Sequence, residues 1–277
     1  MKALTKFVVF AGLFATTINT LPSYAATNPL KDAINHPARS AVNKARDVHR
    51  HPYETLSFFD VKADSTVVEI SPGGGWYSEI LAPLLKEKGK YYAAHQPADA
   101  TSDYAKRTRA AYLEKLAADP VYKAVTVTGF APDKMYEVAP AGSADVVLTF
   151  RNLHNWYEKD KGEASLLTAF KTFHAALKPG GVLGVVEHRL PESKLKTDWT
   201  DSGYMPQSMV VKVAEQAGFV LDGTSEVNAN PKDTADHPKG VWTLPPVLAL
   251  KDQDKAKYIA IGESDRMTLK FRKPKAE

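Results

Sequence analysis

The stretch VVEISPGGGWYSEIL, from Val67 to Leu81, passes from a buried strand into a helix through three consecutive glycines. The β-branched run at 66–70 is typical of a strand with both faces buried, and 76–88 predicts a helix kinked at Pro83. Glycine permits backbone conformations and close approaches that other residues do not. The loop at the carboxyl end of this strand is therefore expected to lie directly against a ligand.

Short apolar strands alternate with helices around this stretch, which is the pattern of a doubly wound, mostly parallel sheet. The predicted strands are 66–70, 90–95, 125–128, 144–150, 182–187, 219–227 and 266–272, and the predicted helices are 39–50, 76–88, 102–118, 163–177 and 206–217. In an open sheet of this kind the ligand lies beyond the carboxyl ends of the strands, near the first strand. The predicted fold class is therefore α/β with a seven-stranded sheet.

The glycine loop matches the dinucleotide-binding fingerprint only in part. The pattern Gly73-x-Gly75-x-x-Ser78 lacks the third glycine, and an acid, Glu69, stands near the end of the first strand. Both departures disfavour an NAD-linked oxidoreductase.

The same segment resembles motif I of the class I S-adenosylmethionine-dependent methyltransferases, in which an acid precedes a series of glycines. From Glu69 to Gly75 it reads EISPGGG, with Ser71 in place of the first glycine. ADVVLTFRNLHNW resembles the fourth strand of this family with its following loop, and LKPGGVLGVVEH resembles the turn into its fifth strand. The resemblance extends over about 40–273, and DVHRHPYETLSFF is similar to an exported bacterial subgroup of predicted methyltransferases.

The resemblance implies a Rossmann-like methyltransferase fold whose antiparallel last strand inserts beside the fifth, with S-adenosylmethionine as the cofactor. The Glu69 carboxylate would approach the amino group of the cofactor. Tyr77 and Trp76 would lie near its sulfonium, where cation–π attraction stabilises the charge; packing in the core is the alternative for both. The predicted cofactor-binding residues are Glu69, Ser71, Pro72, Gly73, Gly75, Tyr77, His95, Gln96, Phe130, Arg151 and Asn152.

Two positions depart from the family pattern. The family usually ends its second strand with an acid that accepts both ribose hydroxyls, whereas this chain has AHQ at 94–96, with Asp99 later. Where many relatives place an acid near the adenine, this chain has GFA at 129–131, with Asp133 as the substitute. The neutral side chain of Gln96 forms weaker hydrogen bonds than a carboxylate does, so we expect weak cofactor affinity.

Two histidines are candidate general bases. His154 follows the fourth predicted strand and His188 ends the fifth, and a hydrogen-bonded structural role is the alternative for each. The predicted substrate-side residues are Arg50, His51, Trp156, Tyr157 and Trp242. His49 and His51 lie two positions apart and could contribute two imidazole ligands to a metal site. The chain offers no cysteine and no third ligand at a recognisable spacing, so we predict no metal.

The first residues have the pattern of a secretory signal peptide. Two lysines precede an apolar run at 7–18, which is shorter than a membrane span, and SYA at 23–25 is typical of a cleavage site. We predict a signal peptide at 1–25 and an exported, periplasmic chain at 26–277 with no membrane span.

Composition limits the kind of partner. The chain has 277 residues and no cysteine, so it must be stabilised by an ordinary hydrophobic core rather than by disulfides. Removing the two leader lysines lowers the formal charge from +4 to +2, and the charges are interspersed, which disfavours nucleic acid as a partner. We predict a small-molecule substrate; the sequence indicates no oligomeric state.

The segment 230–264 separates the last two predicted strands and contains no predicted element. Its GVWTLPP run at 240–246 is rich in proline, which restricts backbone freedom. We expect this insert to form a lid that brings Trp242 close to the 151–157 loop. A cap on the sheet edge is the alternative, and inserts of this length are also found disordered.

The leading interpretation is a methyltransferase that acts on a small molecule. The alternative is a non-catalytic exported protein that binds S-adenosylmethionine or a nucleoside-like ligand. Two features favour the alternative: the ribose acid is missing, and the cofactor is made in the cytoplasm.

Overall fold

The computed structural model describes residues 1, 3, 28–157 and 162–275. The predicted signal peptide, apart from two residues, lies outside the described residues. Within the described ranges, no helix is both long enough and apolar enough to cross a membrane.

The chain forms one mixed sheet flanked by helices. The strands are β1 (Thr66–Ile70), β2 (Lys90–His95), β3 (Val125–Gly129), β4 (Ala144–Phe150), β5 (Leu177–Leu190), β6 (Met205–Pro206), β7 (Val220–Ser225) and β8 (Arg266–Arg272). The helices are α1 (Pro29–Ile34), α2 (Ala41–Lys44), α3 (Asp47–Arg50), α4 (Pro52–Phe58), α5 (Ser78–Leu85), α6 (Asp103–Ala117), α7 (Ala164–Ala176), α8 (Gln207–Gln216) and α9 (Lys255–Ile261). The strand order is β3-β2-β1-β4-β5-β8-β7, and the short β6 pairs with the end of β5.

The strand directions confirm the predicted fold class. Strands β1 to β5 pair in parallel along the sheet, whereas β8 is antiparallel to both of its neighbours, β5 and β7. The antiparallel last strand inserts beside the fifth, as the family resemblance implies. This order is that of the Rossmann-like methyltransferase fold.

Each central strand is buried on both faces. In β1, Val67 packs with α5 on one face, and Val68 and Ile70 pack with α7 and α8 on the other. The β4 strand repeats this alternation with Val146 and Val147. Burial on both faces explains why these strands are continuously apolar in sequence rather than alternating.

The strand register brings the functional loops to one edge of the sheet. Ile70, the last residue of β1, lies beside Ala94 of β2 and Thr149 of β4. Because β8 runs the other way, its first residue, Arg266, pairs with His188 near the end of β5. The loops after β1, β2, β4 and β5 and the start of β8 therefore meet at a single edge.

Three expectations on local structure need correction. The helix predicted at 39–50 is two short helices, α2 and α3, because the chain turns at Ala45 and Arg46. The polar residues and two prolines at 26–38 predict a loose leader, but the described part of this stretch contains helix α1, which Asn28 caps and whose Leu30 packs in the core. The 230–264 insert is ordered, with a 3-10 turn at Gly240–Thr243 and helix α9.

Candidate cofactor and substrate site

The glycine loop that follows β1 has a strained backbone. Ser71, Gly73 and Gly75 all have positive φ, of 51°, 58° and 78°. A Cβ added at Gly73 would meet no protein atom within 4 Å, whereas at Gly75 it would lie 3.1 Å from the Tyr112 ring. Gly73 therefore faces open space, while Gly75 is required by packing beneath the loop.

Two adjoining cavities open at this edge of the sheet. The β2 cavity, of about 550 Å³, lies between the glycine loop and the end of β2, and the β4 cavity, of about 540 Å³, lies above the ends of β1, β4 and β5. Both cavities are lined by Ser71, Gly73, Gly74, Tyr104, Asn152 and Asn155. The shared lining makes them two halves of one site, joined at the glycine loop.

Glu69 lies beneath the glycine loop at the floor of the β4 cavity. Its carboxylate accepts hydrogen bonds from the hydroxyls of Ser78, at 3.1 Å, and Tyr91. Burial raises the pKa of Glu69 to about 7 even though both hydrogen bonds act to lower it. The acid expected to meet the cofactor's amino group is therefore close to half-protonated at neutral pH.

The raised pKa predicts that the free energy of unfolding depends on pH through Glu69, and the Glu69→Gln variant tests this. A carboxyl whose pKa rises from 4.5 to about 7 on folding stabilises the fold fully below pH about 4.5, and this contribution is lost as the pH rises through about 7. The shift corresponds to about 3 kcal/mol. We expect wild type to lose free energy of unfolding between pH 5 and 8, and the neutral variant to lose far less. Urea unfolding at several pH values measures this, with the exposed Glu114→Gln as control; parallel profiles for all three proteins would contradict it.

The end of β2 supplies the wall of the β2 cavity through His95 and Gln96. The His95 ring stacks on Tyr112 at 4.9 Å, and its Nδ1 accepts the backbone N–H of Gln96 at 2.7 Å. Burial lowers the pKa of His95, so the ring is neutral, and Nε2–H donates to the Gly73 carbonyl at 3.3 Å. His95 thus fixes the glycine loop in place.

The ribose acid is missing in the structure as well as in the sequence. Asp99 and Asp133, the two substitutes considered from the sequence, are both exposed and line neither cavity. Among the described residues, no carboxylate lines the β2 cavity. Hydroxyls bound there would therefore have no carboxylate acceptor among the described lining residues.

The loop after β4 is tied to the end of β1. The Asn152 side chain donates to the Ile70 carbonyl at 3.1 Å and to the Thr149 hydroxyl at 3.2 Å. Arg151 has a positive φ of 59°, and its backbone N–H donates to Val186. These contacts aim the Arg151 side chain into the β4 cavity.

A buried carboxylate orients His154 at the wall of the β4 cavity. Glu187, at the end of β5, accepts His154 Nδ1–H at 3.0 Å and the backbone N–H groups of Leu153, at 2.6 Å, and His188, at 2.8 Å. The Nδ1 contact leaves His154 Nε2 for a partner in the cavity. Trp242 packs edge-on against His154, with ring centroids 6.0 Å apart. The sequence places Glu187 beside His188 but does not indicate that its carboxylate accepts a hydrogen bond from His154.

His188 lies next to His154 but in a different environment. Its Nδ1 bonds the Ser264 hydroxyl, and burial, with His154 and Arg266 nearby, holds its pKa well below the usual range. His188 is therefore neutral at physiological pH. It borders the β4 cavity, as does His154.

His154, Glu187 and His188 could also hold a metal ion, since one ligand atom from each lies within 4.8 Å of the others. The oxygens of Glu187 already accept three hydrogen bonds, and arginines stand on the same cavity wall. Both features disfavour a cation. A carboxylate-oriented imidazole is the better interpretation of this cluster.

Four arginines border the β4 cavity together with Glu263, and three of them lie close to its carboxylate. Arg46 Nε is 2.7 Å from its Oε1, Arg266 bonds its Oε2, and Arg50 Nε is 3.9 Å from Oε2. Arg151 borders the same cavity. The arginines lower the pKa of Glu263 to about 2, against the opposing effect of burial. Sequence reasoning missed Arg46, Glu263 and Arg266, since no local motif links positions more than 200 residues apart.

The predicted site residues divide between the cavities and the core. Glu69, Ser71, Pro72, Gly73, Tyr77, Arg50, Arg151, Asn152, His154, His188 and Trp242 border the β4 cavity, and His95, Gln96 and Trp156 border the β2 cavity. Gly75, His51, Phe130 and Tyr157 border neither.

Each of the four residues outside the cavities has another role. Phe130 packs in the core against Trp156, at 5.0 Å between ring centroids. Tyr157 packs on Trp199 at 5.1 Å, His51 forms the left-handed turn between α3 and α4, and Gly75 abuts Tyr112. Trp76 is buried, and one part of it borders the β4 cavity.

Comparison with known proteins places this fold in a class. No protein-family model matches the chain. A SAM dependent methyltransferase from Aquifex aeolicus aligns over 89% of this chain and 99% of its own, with 17% identity and a TM-score of 0.55. Human N-acetylserotonin methyltransferase in complex with SAM aligns over 84% of this chain and 54% of its own, with 14% identity and a TM-score of 0.52.

The [4+2]-cyclase SpnF is equally similar, with 15% identity and a TM-score of 0.55 over 82% of this chain and 81% of its own. At these identities the likeness establishes the fold and not the activity. The chain therefore has the class I methyltransferase fold, and its reaction must be argued from its own site.

Proposed function

We propose that the protein is an S-adenosylmethionine-dependent methyltransferase that acts on a small-molecule acceptor. The observation that carries the proposal is that His154, oriented by Glu187, borders the same cavity as the glycine loop. Neighbours of the same fold that are described as methyltransferases support it.

The residues present fit the cofactor in two ways. Gly73 and Gly74 leave open space above the loop, where a side chain would stand. Beside them, the stacked His95 and Tyr112 rings and Gln96 line a cavity with room for a nucleoside. The methionyl portion would lie in the β4 cavity near Glu69 and Tyr77.

When bound, S-adenosylmethionine would supply a methyl group on a sulfonium, and an acceptor atom would attack the methyl carbon in line with the departing thioether sulfur. The chain's own contribution is position and a base. Glu187 holds Nδ1–H of His154, so the lone pair of Nε2 is available to take the acceptor's proton. His154 Nε2, which borders the cavity, would take the proton that the acceptor atom releases on methylation.

Equilibrium titration of the mature protein tests the proposal. S-adenosylmethionine and S-adenosylhomocysteine should bind, with modest affinity because the ribose acid is absent, and NAD should not. Binding of NAD alone would replace the proposal with a dinucleotide enzyme, and binding of none of the three would remove it. Binding without turnover would favour the non-catalytic alternative.

We also propose that the 230–264 insert acts as a lid. Val241, Trp242 and the residues at 245–247 border the β4 cavity, and Trp242 remains 38% exposed while it contacts His154. A partly exposed aromatic side chain at a cavity mouth has surface left to bury when an acceptor binds.

Trp242→Ala should therefore raise KM for the acceptor about 3- to 10-fold, the range of one aromatic contact, with little effect on cofactor affinity. Steady-state kinetics measure this. Ile259→Ala is the matched control, because Ile259 is exposed on the same insert and borders neither cavity. Equal KM values for the two variants would contradict the lid.

Export remains a proposal based on the leader's sequence pattern. We expect protein from the native host to begin at Ala26 or close to it. Intact-mass and N-terminal peptide mass spectrometry measure this. A soluble protein retaining Met1 would contradict export.

A further inference from the structure

The β4 cavity carries an excess of positive charge. Four arginines border it, together with Glu263 and Glu69. Glu69 is only partly ionised near neutral pH, because burial raises its pKa to about 7. Glu187 lies behind His154, and none of the three hydrogen bonds it accepts comes from an arginine. Glu263 is therefore the main counter-charge to all four guanidinium groups.

The single carboxylate of Glu263 does not form hydrogen bonds with all four arginines. Its Oε1 is bonded to Arg46 and its Oε2 to Arg266. Arg50 is buried, with 4% of its surface exposed, and its Nε and Nη1 have no hydrogen-bond partner. Within the described part of the chain, the Arg151 side chain forms no hydrogen bond or ion pair. Among the described residues, Arg50 therefore has only a distant ion pair with Glu263 and Arg151 has none, although both border the β4 cavity.

Buried cations without partners are costly, and the cost disappears when an anion binds. Burial and mutual repulsion lower the pKa of Arg50 to about 8 and that of Arg151 to about 10. The cofactor's sulfonium would add a further positive charge to the same cavity. An anionic group on the methyl acceptor would offset the charge of these arginines and of the sulfonium.

We propose that the methyl acceptor carries a carboxylate or phosphate group that is bound by Arg50 and Arg151. This inference rests on the proposed methyltransferase function. The planar guanidinium fork suits two-point binding of either group. Because His154 borders the same cavity as both arginines, the anion would anchor the acceptor while its nucleophilic atom lies near His154.

The cofactor has a carboxylate of its own, which could equally pair with one of these arginines. Protein saturated with S-adenosylhomocysteine separates the two sources, because this product already carries that carboxylate. Inorganic phosphate is the probe for the second anion. Tryptophan fluorescence reports its binding, since the Arg50 guanidinium lies 4.6 Å over the Trp76 ring.

Phosphate should bind the product-saturated wild-type protein, and Arg151→Gln should weaken it about 10- to 100-fold, as expected for charge-assisted hydrogen bonds. Arg50→Gln should have a similar effect, and Arg151→Lys, which keeps the charge and loses the fork, a smaller one. Arg272→Gln is the control, because Arg272 lies at the far end of β8 and borders neither cavity; this variant should match wild type.

Phosphate that binds only the product-free protein would overturn the proposal, since the arginines would then serve the cofactor's carboxylate. No phosphate binding, or equal binding by Arg151→Gln and Arg272→Gln, would also overturn it. Failure of S-adenosylhomocysteine to bind would refute the proposed function instead. In that case, phosphate titration of the unliganded protein still decides whether the arginines bind an anion.

Discussion

Gly73→Val should abolish binding of S-adenosylhomocysteine, with an affinity loss of at least about 100-fold, while the protein remains folded. Gly73 has a φ of 58°, which a β-branched residue adopts only with strain, and the space beside it is open. The Cβ of the valine would therefore meet no protein atom, and the side chain would extend into the junction of the two cavities. Calorimetric titration measures the affinity, and circular dichroism reports the fold.

Gly142→Val is the matched control for this variant. Gly142 has nearly the same φ, 62°, and the same open surroundings, but borders neither cavity. Both variants carry the backbone strain, and only one blocks the site. If Gly73→Val binds the product as well as Gly142→Val does, the glycine loop is not the binding site.

His154→Ala should lower kcat by about 10²- to 10⁴-fold, the usual contribution of a positioned general base. Its affinity for S-adenosylhomocysteine should stay close to that of wild type, because the proposed role lies in proton transfer. The rate is measured as S-adenosylhomocysteine formed in the presence of a small-molecule extract of the native host.

His188→Asn separates the two histidine candidates. His188 is neutral and bonded to Ser264 through Nδ1, and Glu187 contacts only its backbone N–H. No carboxylate therefore raises the basicity of its ring, and we expect a much smaller loss of kcat than in His154→Ala. A larger loss in His188→Asn would transfer the role of base to His188.

Local patterns were sufficient to predict the sheet and the glycine loop. Strands β1, β2, β4 and β8 begin and end at the predicted residues, and in β4 burial on both faces leaves a largely apolar run. Ser102 caps α6 through a side chain that accepts the Ala105 N–H, as its position before the helix predicts.

The other half of the site depends on contacts between distant segments. Arg46 is hydrogen-bonded to Glu263, which lies 217 positions later in the sequence. Glu187 of β5 accepts a hydrogen bond from His154 in the loop after β4. Phe130 was placed at the adenine by position alone, but apolar neighbours in the core retain it. Which polar residues meet, and which aromatic residues are buried, is decided by tertiary packing and leaves no trace in local spacing.

Transfer of a labelled methyl group tests the central claim most directly. The protein is incubated with S-adenosylmethionine carrying an isotopically labelled methyl and with a small-molecule extract of the native host. The account predicts that the label appears in an acceptor, in equal amount to the S-adenosylhomocysteine formed, and that both nearly vanish with His154→Ala. The account would be contradicted if S-adenosylmethionine bound but wild type formed no more product and no more labelled acceptor than His154→Ala.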